Sequence, residues 1–214
     1  MPERRSAPRP AVAVFDVDGT LTTRDCVLPF LWRVAGLRLP RVLLRHPLEL
    51  LGGIARRDRD RLKALACASL AGLRAVEIER AGEEFAQWVA SSRMREDTTA
   101  RLRQHRDLGH TLVLASASLD AYLLPLGQIL GADEVACTTL ERDADGLLTG
   151  RLVGANCRGP EKARRVHALL ETRGLAHAEV WAYGDSPDDE PLLSSADHGV
   201  RVGRSPLSLL DTGG

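Results

Sequence analysis

Two aspartates stand two residues apart directly after a short apolar segment near the start of the chain. Segment 12–15 is rich in β-branched residues, and Asp16, Asp18 and the Gly19-Thr20 pair follow it. This pattern predicts a buried strand that ends where the acidic residues begin. Side chains two positions apart in an extended chain point to the same side, and two neighbouring anions favour a cation or a shared proton. The simplest prediction is a divalent metal ion at the carboxyl end of this strand.

A hydroxyl group follows the second predicted strand. Apolar segment 111–115 is followed by Ser116, Ala117 and Ser118, and a helix is predicted from Asp120 onward. A hydroxyl group at a strand end and beside a helix start can bind a phosphate oxygen with the help of free backbone amides. We predict this role for Ser116. Ser118 remains the alternative, although it could equally be the N-cap of the helix.

The use of lysine indicates a further residue of the site. The chain has 27 arginines and only two lysines, Lys63 and Lys162. Lys162 lies in the first turn of a helix that is predicted to begin near Pro160 and to end at Gly174. A compact ammonium group suits a crowded anionic site better than a wide guanidinium group does. We therefore predict that Lys162 belongs to the site.

Acidic residues also follow the strand predicted at 180–183. Asp185 comes first, and Asp188 and Asp189 follow shortly after it. The carboxyl ends of parallel strands gather at one edge of an α/β sheet, so these acids are predicted to lie near Asp16. Because the available ligands are all oxygens, Mg²⁺ is the natural ion for such a site.

Taken in order, these four groups resemble the four motifs of the haloacid dehalogenase (HAD) superfamily of phosphohydrolases. The matching residues are Asp16-Val17-Asp18-Gly19-Thr20, Ser116, Lys162 and Gly184-Asp185-Ser186-Pro187-Asp188-Asp189. The resemblance implies that Asp16 is the nucleophile that forms an aspartyl-phosphate. It also implies that Asp18 is the general acid and base, which requires a raised pKa for its carboxyl group.

The resemblance also implies a set of binding residues. Mg²⁺ would be held by the carboxylate of Asp16, the backbone carbonyl of Asp18 and the carboxylate of Asp185. Asp189 would support the metal shell, with Asp188 as a possible substitute. The residues expected to bind phosphate are Gly19, Thr20, Ser116, Ala117 and Lys162.

Within the superfamily, the sequence resembles subfamily IB, the phosphoserine-phosphatase-like group. The shared features are a helical insert after the first strand, Ser116-Ala117-Ser118, and Gly154-Ala155-Asn156 followed by Gly159 and Lys162. Phosphoserine phosphatases usually carry a glutamate nine residues after the nucleophile, and Asp25 occupies that position here. Asp25 is therefore a candidate for substrate selectivity, whereas no counterpart of the family's carboxylate-binding cap arginine is found.

The order of elements predicts an α/β fold with a doubly wound, Rossmann-like parallel sheet, helices on both faces, and a small all-helical cap inserted after the first strand. The predicted catalytic core comprises residues 11–23 and 96–214, and the predicted C1-type cap comprises residues 24–95. Residues 1–10 are rich in proline and arginine, which predicts disorder. An Asp145-Gly146 pair within 135–150 predicts a hairpin.

Composition limits the possible partners and location. Acidic and basic residues balance at 29 each, which argues against a nucleic-acid partner. Four cysteines without a CxxC pair and no signal-peptide pattern predict a cytoplasmic protein. Segment 32–63 is nevertheless basic. It contains Arg33, Arg38, Arg41, Arg45, Arg56, Arg57, Arg59, Arg61 and Lys63 against Glu49, Asp58 and Asp60. We favour a solvated arginine face, with peripheral contact to an anionic membrane as the alternative.

Three functional hypotheses follow from the residues and the resemblance. The first is a Mg²⁺-dependent phosphomonoesterase for a small phosphorylated metabolite, such as phosphoserine or histidinol phosphate. The second is a lipid-head-group phosphatase of the phosphatidylglycerophosphatase type, working at the membrane surface. The third is a non-hydrolytic phospho-acceptor or binding protein. The sequence indicates neither the natural substrate nor the oligomeric state.

Overall fold

The computed structural model describes residues 9–210, so residues 1–8 of the segment predicted to be disordered lie outside the described residues. Within this part of the chain, a parallel sheet has the strand order β3-β2-β1-β6-β7. Its strands are β1 (Ala11–Phe15), β2 (Thr111–Leu119), β3 (Glu134–Thr138), β6 (Glu179–Gly184) and β7 (His198–Arg201). A separate antiparallel pair is formed by β4 (Leu140–Arg142) and β5 (Leu148–Leu152).

Helices precede and follow these strands. They are α1 (Val27–Ala35), α2 (Arg38–Arg45), α3 (Pro47–Arg56), α4 (Arg59–Cys67), α5 (Ala75–Ser92), α6 (Glu96–Asp107), α7 (Asp120–Leu130), α8 (Pro160–Thr172) and α9 (Glu190–Ser195). None of the helices within residues 9–210 is both long enough and apolar enough to cross a membrane.

Helices cover both faces of the sheet because the strands are apolar on both sides. In β1, Val12 and Val14 pack with side chains of α8 and α9, whereas Ala13 and Phe15 pack with side chains of α5, α6 and α7. Continuous apolar strands are typical of a parallel sheet that is buried on both faces. The predicted fold class is confirmed.

The inserted segment between β1 and α6 contains α1 to α5. Its longest helix, α5, packs closely on α7, where a Cβ atom on Gly82 would lie 1.9 Å from the backbone oxygen of Ala121. The hairpin of β4 and β5 also contacts this segment, because the amide of Gly72 donates a hydrogen bond to the carbonyl of Leu148. The insert thus contacts both α7 and the hairpin of β4 and β5. The division of the chain into a catalytic core and a separate cap remains a prediction.

Two local predictions differ from the structure. The second strand was expected to end before Ser116, but β2 continues to Leu119, which pairs with Thr138 after a shift in register. The extension rests on this pairing with β3 rather than on the local sequence. The predicted hairpin at 135–150 is shorter than expected, because its first residues form β3 of the parallel sheet.

Candidate active site

The predicted site residues meet at the carboxyl edge of the sheet. They line a cavity of about 490 Å³ that lies between this edge and the helices of the insert. The cavity is lined by Asp16, Asp18, Asp25, Ser116, Ala117, Lys162 and Asp185, together with side chains of α1 and α4. Topology explains the convergence, since the strands run in parallel and end at the same edge.

Lys162 links the first and last acidic groups of the site. Its Nζ donates to Asp16 Oδ1 at 2.7 Å and to Asp189 Oδ1 at 2.5 Å. The ammonium group is buried, and burial alone would lower its pKa, but the two carboxylates raise the pKa above its usual value. Lys162 is therefore held as a cation beside Asp16.

Asp189 is fully engaged by protein donors. Besides Lys162, the backbone amide and the hydroxyl of Ser186 donate to its Oδ2 at 3.0 and 2.8 Å. Although burial opposes it, the contacts with Lys162 and Ser186 lower the pKa of Asp189. This engagement leaves Asp189 suited to orienting Lys162 rather than to binding a ligand directly.

The acidic groups form a cluster whose chemistry fits a divalent cation. Carboxylate oxygens of Asp16, Asp185 and Asp189 all lie within 4.8 Å of one another. Burial raises the pKa of Asp16 to about 7 even though Lys162 favours its ionised form, and burial followed by the charge of Asp189 raises that of Asp185. A bound cation would compensate this concentrated negative charge. The residues present therefore fit Mg²⁺, with Asp16 and Asp185 as carboxylate ligands.

Gly19 allows the loop after β1 to approach Asp185 closely. Its φ is +91°, and a Cβ atom there would lie 2.4 Å from Asp185 Oδ2. The neighbouring hydroxyl of Thr20 donates to Asp185 Oδ1 at 3.4 Å. Only glycine fits this conformation and this approach, so the Gly-Thr pair positions the loop against the predicted metal ligand.

Asp18 is held by hydrogen bonds to both carboxylate oxygens. The amide of Cys26 donates to Oδ1 at 2.8 Å, and the hydroxyl of Ser118 donates to Oδ2 at 2.6 Å. Burial, followed by the charge of Asp25, raises the pKa of Asp18 to about 6. The carboxyl group is thus fixed in position and close to protonation at neutral pH, as a general acid and base requires.

The two serines of β2 have different surroundings. Ser116 lines the cavity, and its Oγ accepts a hydrogen bond from the amide of Ser118 at 3.1 Å. Ser118 is fully buried, where its Oγ donates to Asp18 and accepts from the hydroxyl of Tyr122 at 2.7 Å. This arrangement favours Ser116 as the phosphate ligand and gives Ser118 the task of orienting Asp18.

The polar residues of the cavity wall that were not predicted as site residues include Arg59, Lys63, Asn156 and Arg158. Nζ of Lys63, on α4, donates to Asn156 Oδ1 at 2.8 Å and to the carbonyl of Ala117. Arg158 donates to Asp188 Oδ2 at 2.7 Å, so the carboxylate of Asp188 is paired with Arg158, whereas Lys162 donates to Asp189. The scarcity of lysine that indicated Lys162 could also have indicated Lys63.

Asp25 lines the cavity at the beginning of α1. Its carboxylate oxygens accept hydrogen bonds from the amides of Val27 and Leu28 at 3.4 and 3.3 Å. These contacts fix the carboxylate near the first helical turn, where the helix dipole favours a negative charge. Its assignment to substrate selectivity stays a prediction.

Comparison with known proteins decides the family. The model of the family described as "haloacid dehalogenase-like hydrolase" matches residues 13–194 of this chain. This range includes every catalytic and metal-binding residue predicted above. The chain belongs to the haloacid dehalogenase-like hydrolases. The predicted family is therefore confirmed, and with it the expectation of an enzyme.

Individual members of this hydrolase family are similar over most of the chain. Protein CicA from Caulobacter vibrioides is 38% identical over 198 residues, covering 91% of this chain and 87% of that protein. Phosphoserine phosphatase SerB1 from Mycobacterium tuberculosis is 28% identical over 199 residues, covering 90% and 64% respectively. A solved phospho-aspartyl intermediate analogue of phosphoserine phosphatase shares the fold, with a TM-score of 0.60, 18% identity, and coverage of 88% and 84%.

Proposed function

We propose that this hydrolase is a Mg²⁺-dependent phosphomonoesterase that acts through an aspartyl-phosphate on a small phosphorylated metabolite. The observation that carries the proposal is the position of Lys162, 2.7 Å from Asp16 and 2.5 Å from Asp189, beside a third carboxylate at Asp185. A buried lysine between carboxylates is suited to orient a nucleophile and a phosphate group together.

Each step can be assigned to side chains of this chain. Asp16 attacks phosphorus, while Lys162 and the Ser116 hydroxyl hold the phosphate oxygens. Mg²⁺ held by the carboxylates of Asp16 and Asp185 and the backbone carbonyl of Asp18 would neutralise negative charge on the phosphate. The family resemblance assigns Gly19, Thr20 and Ala117 to the same phosphate group, and of these Ala117 lines the cavity.

Asp18 supplies the proton transfers. When the ester bond breaks, its protonated carboxyl group gives a proton to the leaving oxygen. The resulting carboxylate then takes a proton from the water that attacks the aspartyl-phosphate, which releases inorganic phosphate and restores Asp16. A receiver-like phospho-acceptor needs no such group, so the two-sided support of Asp18 by Cys26 and Ser118 favours turnover.

The cavity favours a compact phosphomonoester. Its volume of about 490 Å³ lies within the usual range of small-molecule sites. Asp25, which lines the cavity, is suited to recognise an ammonium group, and Arg59, Lys63 and Arg158, which also line it, are suited to recognise an acidic group. Phosphoserine and histidinol phosphate remain the proposed type of substrate, and the name of the mycobacterial relative supports the first.

A lipid-head-group phosphomonoester is the second candidate. It is favoured by an apolar part of the cavity wall, formed by Val27, Leu28, Leu31, Leu62 and Ala66. Neither candidate involves nucleic acid. We propose the cytoplasm as the location, because the four cysteines are free and buried.

The proposal is tested by phosphate release from an aryl phosphate with Mg²⁺, and with a chelator in its place. We expect turnover only with Mg²⁺, and a loss of at least about a thousandfold in Asp16→Asn because the nucleophile is removed. Asp107→Asn, an exposed acid at the end of α6, is the matched control and should retain activity. Equal rates for the wild type and Asp16→Asn would refute the proposal. A panel of phosphorylated metabolites and lipids then ranks the substrates.

A further inference from the structure

Exposed apolar side chains are concentrated on the first three helices. Of 13 large apolar side chains that are exposed within residues 9–210, seven lie between positions 28 and 54. They are Leu28, Trp32, Leu37, Leu44, Leu48, Leu51 and Ile54. Exposed apolar residues that occur singly are ordinary, but a cluster of this kind is typical of an interaction surface.

The most exposed of these side chains flank the turn between α2 and α3. Leu44 is 78% exposed and Leu48 is 84% exposed. Residues 44–49, which span the end of α2 and the start of α3, are all exposed. Leu51 and Ile54 continue the row along α3 at spacings of three residues, which places neighbours on adjoining parts of the helix surface. We call this set, Leu44, Leu48, Leu51 and Ile54, the outer leucine row.

The outer leucine row is not needed to pack the helices that carry it. Leu39 of α2 is buried in the main core and Leu43 packs against the same cluster. On α3, Gly53 is buried against Leu62 of α4. The inward face of α2 is therefore already apolar and α3 is in close contact with α4, and the outward leucines add a further apolar face. A helix that is apolar on both faces is normally covered on both.

Positive charge accompanies this second apolar face. Segment 32–63 has nine basic and three acidic residues, a surplus of six positive charges in a chain whose formal net charge is zero. Arg41, Arg45, Arg56 and Arg57 are exposed, and within the described residues none of these four forms an ion pair. A segment that combines exposed leucines with exposed, unpaired arginines is complementary to a surface that is both apolar and anionic.

We propose that the face formed by α2 and α3 docks on the surface of an anionic lipid bilayer. The outer leucine row enters the boundary between head groups and acyl chains, and Arg41, Arg45, Arg56 and Arg57 contact lipid phosphates. A second copy of the chain fits less well, because an isologous contact would bring the same arginines together. The proposal goes beyond the phosphatase function and does not depend on it.

The test is sedimentation of the full chain with phosphatidylcholine vesicles, with and without phosphatidylglycerol as about one-third of the lipid. We expect binding to the anionic vesicles at low salt, and at least about tenfold weaker partitioning at high salt because arginine–phosphate attraction is screened. Neutral vesicles should bind at least about tenfold more weakly than anionic ones.

Paired variants separate the two contributions. Arg41→Gln/Arg45→Gln should weaken partitioning to anionic vesicles about tenfold or more, because each arginine near such a surface contributes separately. Leu44→Gln/Leu48→Gln should weaken it by a similar factor through the lost burial of both leucines. The matched controls, which are exposed on other helices or at their ends, are Arg80→Gln/Arg103→Gln and Leu108→Gln/Leu124→Gln. Circular dichroism melting establishes that all four variants are folded.

Three outcomes would overturn the proposal. The first is no binding to the anionic vesicles at low salt. The second is equal loss of binding in the test and control variants, which would indicate an unspecific electrostatic attraction. The third is self-association in solution that Leu44→Gln/Leu48→Gln abolishes, which would assign the face to a second copy of the chain. Failure of phosphatase activity would leave the sedimentation result unchanged.

Discussion

At the scale of single residues, the site depends on a balance of charges around Asp18. Burial and the nearby charge of Asp25 raise its pKa, whereas hydrogen bonds from Ser118 and Cys26 lower it. In the proposed mechanism, a pKa of about 6 suits a carboxyl group that acts as an acid in one step and as a base in the next. We therefore propose that Asp25 influences the reaction through the pKa of Asp18.

This balance predicts the effect of Asp25→Asn on the pH profile. Removing the negative charge lowers the pKa of Asp18, so the protonated acid is lost at a lower pH. We expect the alkaline limb of kcat against pH to move down by up to about one pH unit, with reduced turnover at neutral pH. Asparagine keeps an oxygen acceptor for the first amides of α1. The profile is measured with an aryl phosphate at saturating Mg²⁺, beside Asp107→Asn as the unshifted control. An unchanged or upward-shifted limb would contradict the role of Asp25.

The sequence alone identifies candidate site residues where the signal lies in neighbouring positions or in the use of a rare residue type. Asp16 and Asp18 follow one strand, and the scarcity of lysine singled out Lys162. Lys63 is equally rare but was grouped with the basic segment, because the packing of α4 cannot be placed from sequence. Its approach to Ala117 and Asn156 depends on long-range contacts.

At the scale of elements, a close contact between two helices joins the insert to the core. Gly82 of α5 lies against the backbone of Ala121 of α7, which leaves no space for a side chain. Helical periodicity predicted α5 and α7 separately, but it carries no information on which glycine marks a crossing. The same limit explains β2, whose extension to Leu119 depends on pairing with Thr138 rather than on local preference.

The contact makes Gly82→Ala destabilising. A methyl group 1.9 Å from the oxygen of Ala121 forces the two helices apart. We expect the free energy of unfolding to fall by about 2–3 kcal/mol, measured by urea titration. Gly52→Ala on α3 is the matched control, since no atom lies within 4 Å of its Cβ position. That change should raise the free energy of unfolding by about 0.5–1 kcal/mol. Similar effects for both substitutions would show that α5 and α7 separate easily.

At the scale of the whole molecule, one buried histidine connects a covering helix to the central sheet. Nε2 of His105 on α6 lies 2.7 Å from the hydroxyl of Tyr183 on β6, and its Nδ1 lies 2.8 Å from Nδ1 of His110. Arg101 donates to the same tyrosine hydroxyl at 2.9 Å. None of these contacts is with a carboxylate, so a positive charge on His105 would have no negative charge among them to compensate it.

His105 should therefore contribute a loss of stability in mild acid, opposite in sign to the contributions of Asp16 and Asp18, whose raised pKa values favour the folded state as pH falls. Burial, with the charges of His110 and Arg101, lowers the pKa of His105 to about 3, whereas an unfolded histidine titrates near 6.5. Below that pH the unfolded state binds a proton that the folded state excludes, so stability falls as pH decreases. From pH 7 to pH 5 we expect this residue to reduce the free energy of unfolding by about 2 kcal/mol. Urea titrations at both pH values give the change in the free energy of unfolding for each protein. On going from pH 7 to pH 5, this change should be about 2 kcal/mol more favourable to the folded state in His105→Gln than in the wild type. His167→Gln, at an exposed position on α8, should show the same change as the wild type. If all three proteins show the same change, His105 does not make this contribution.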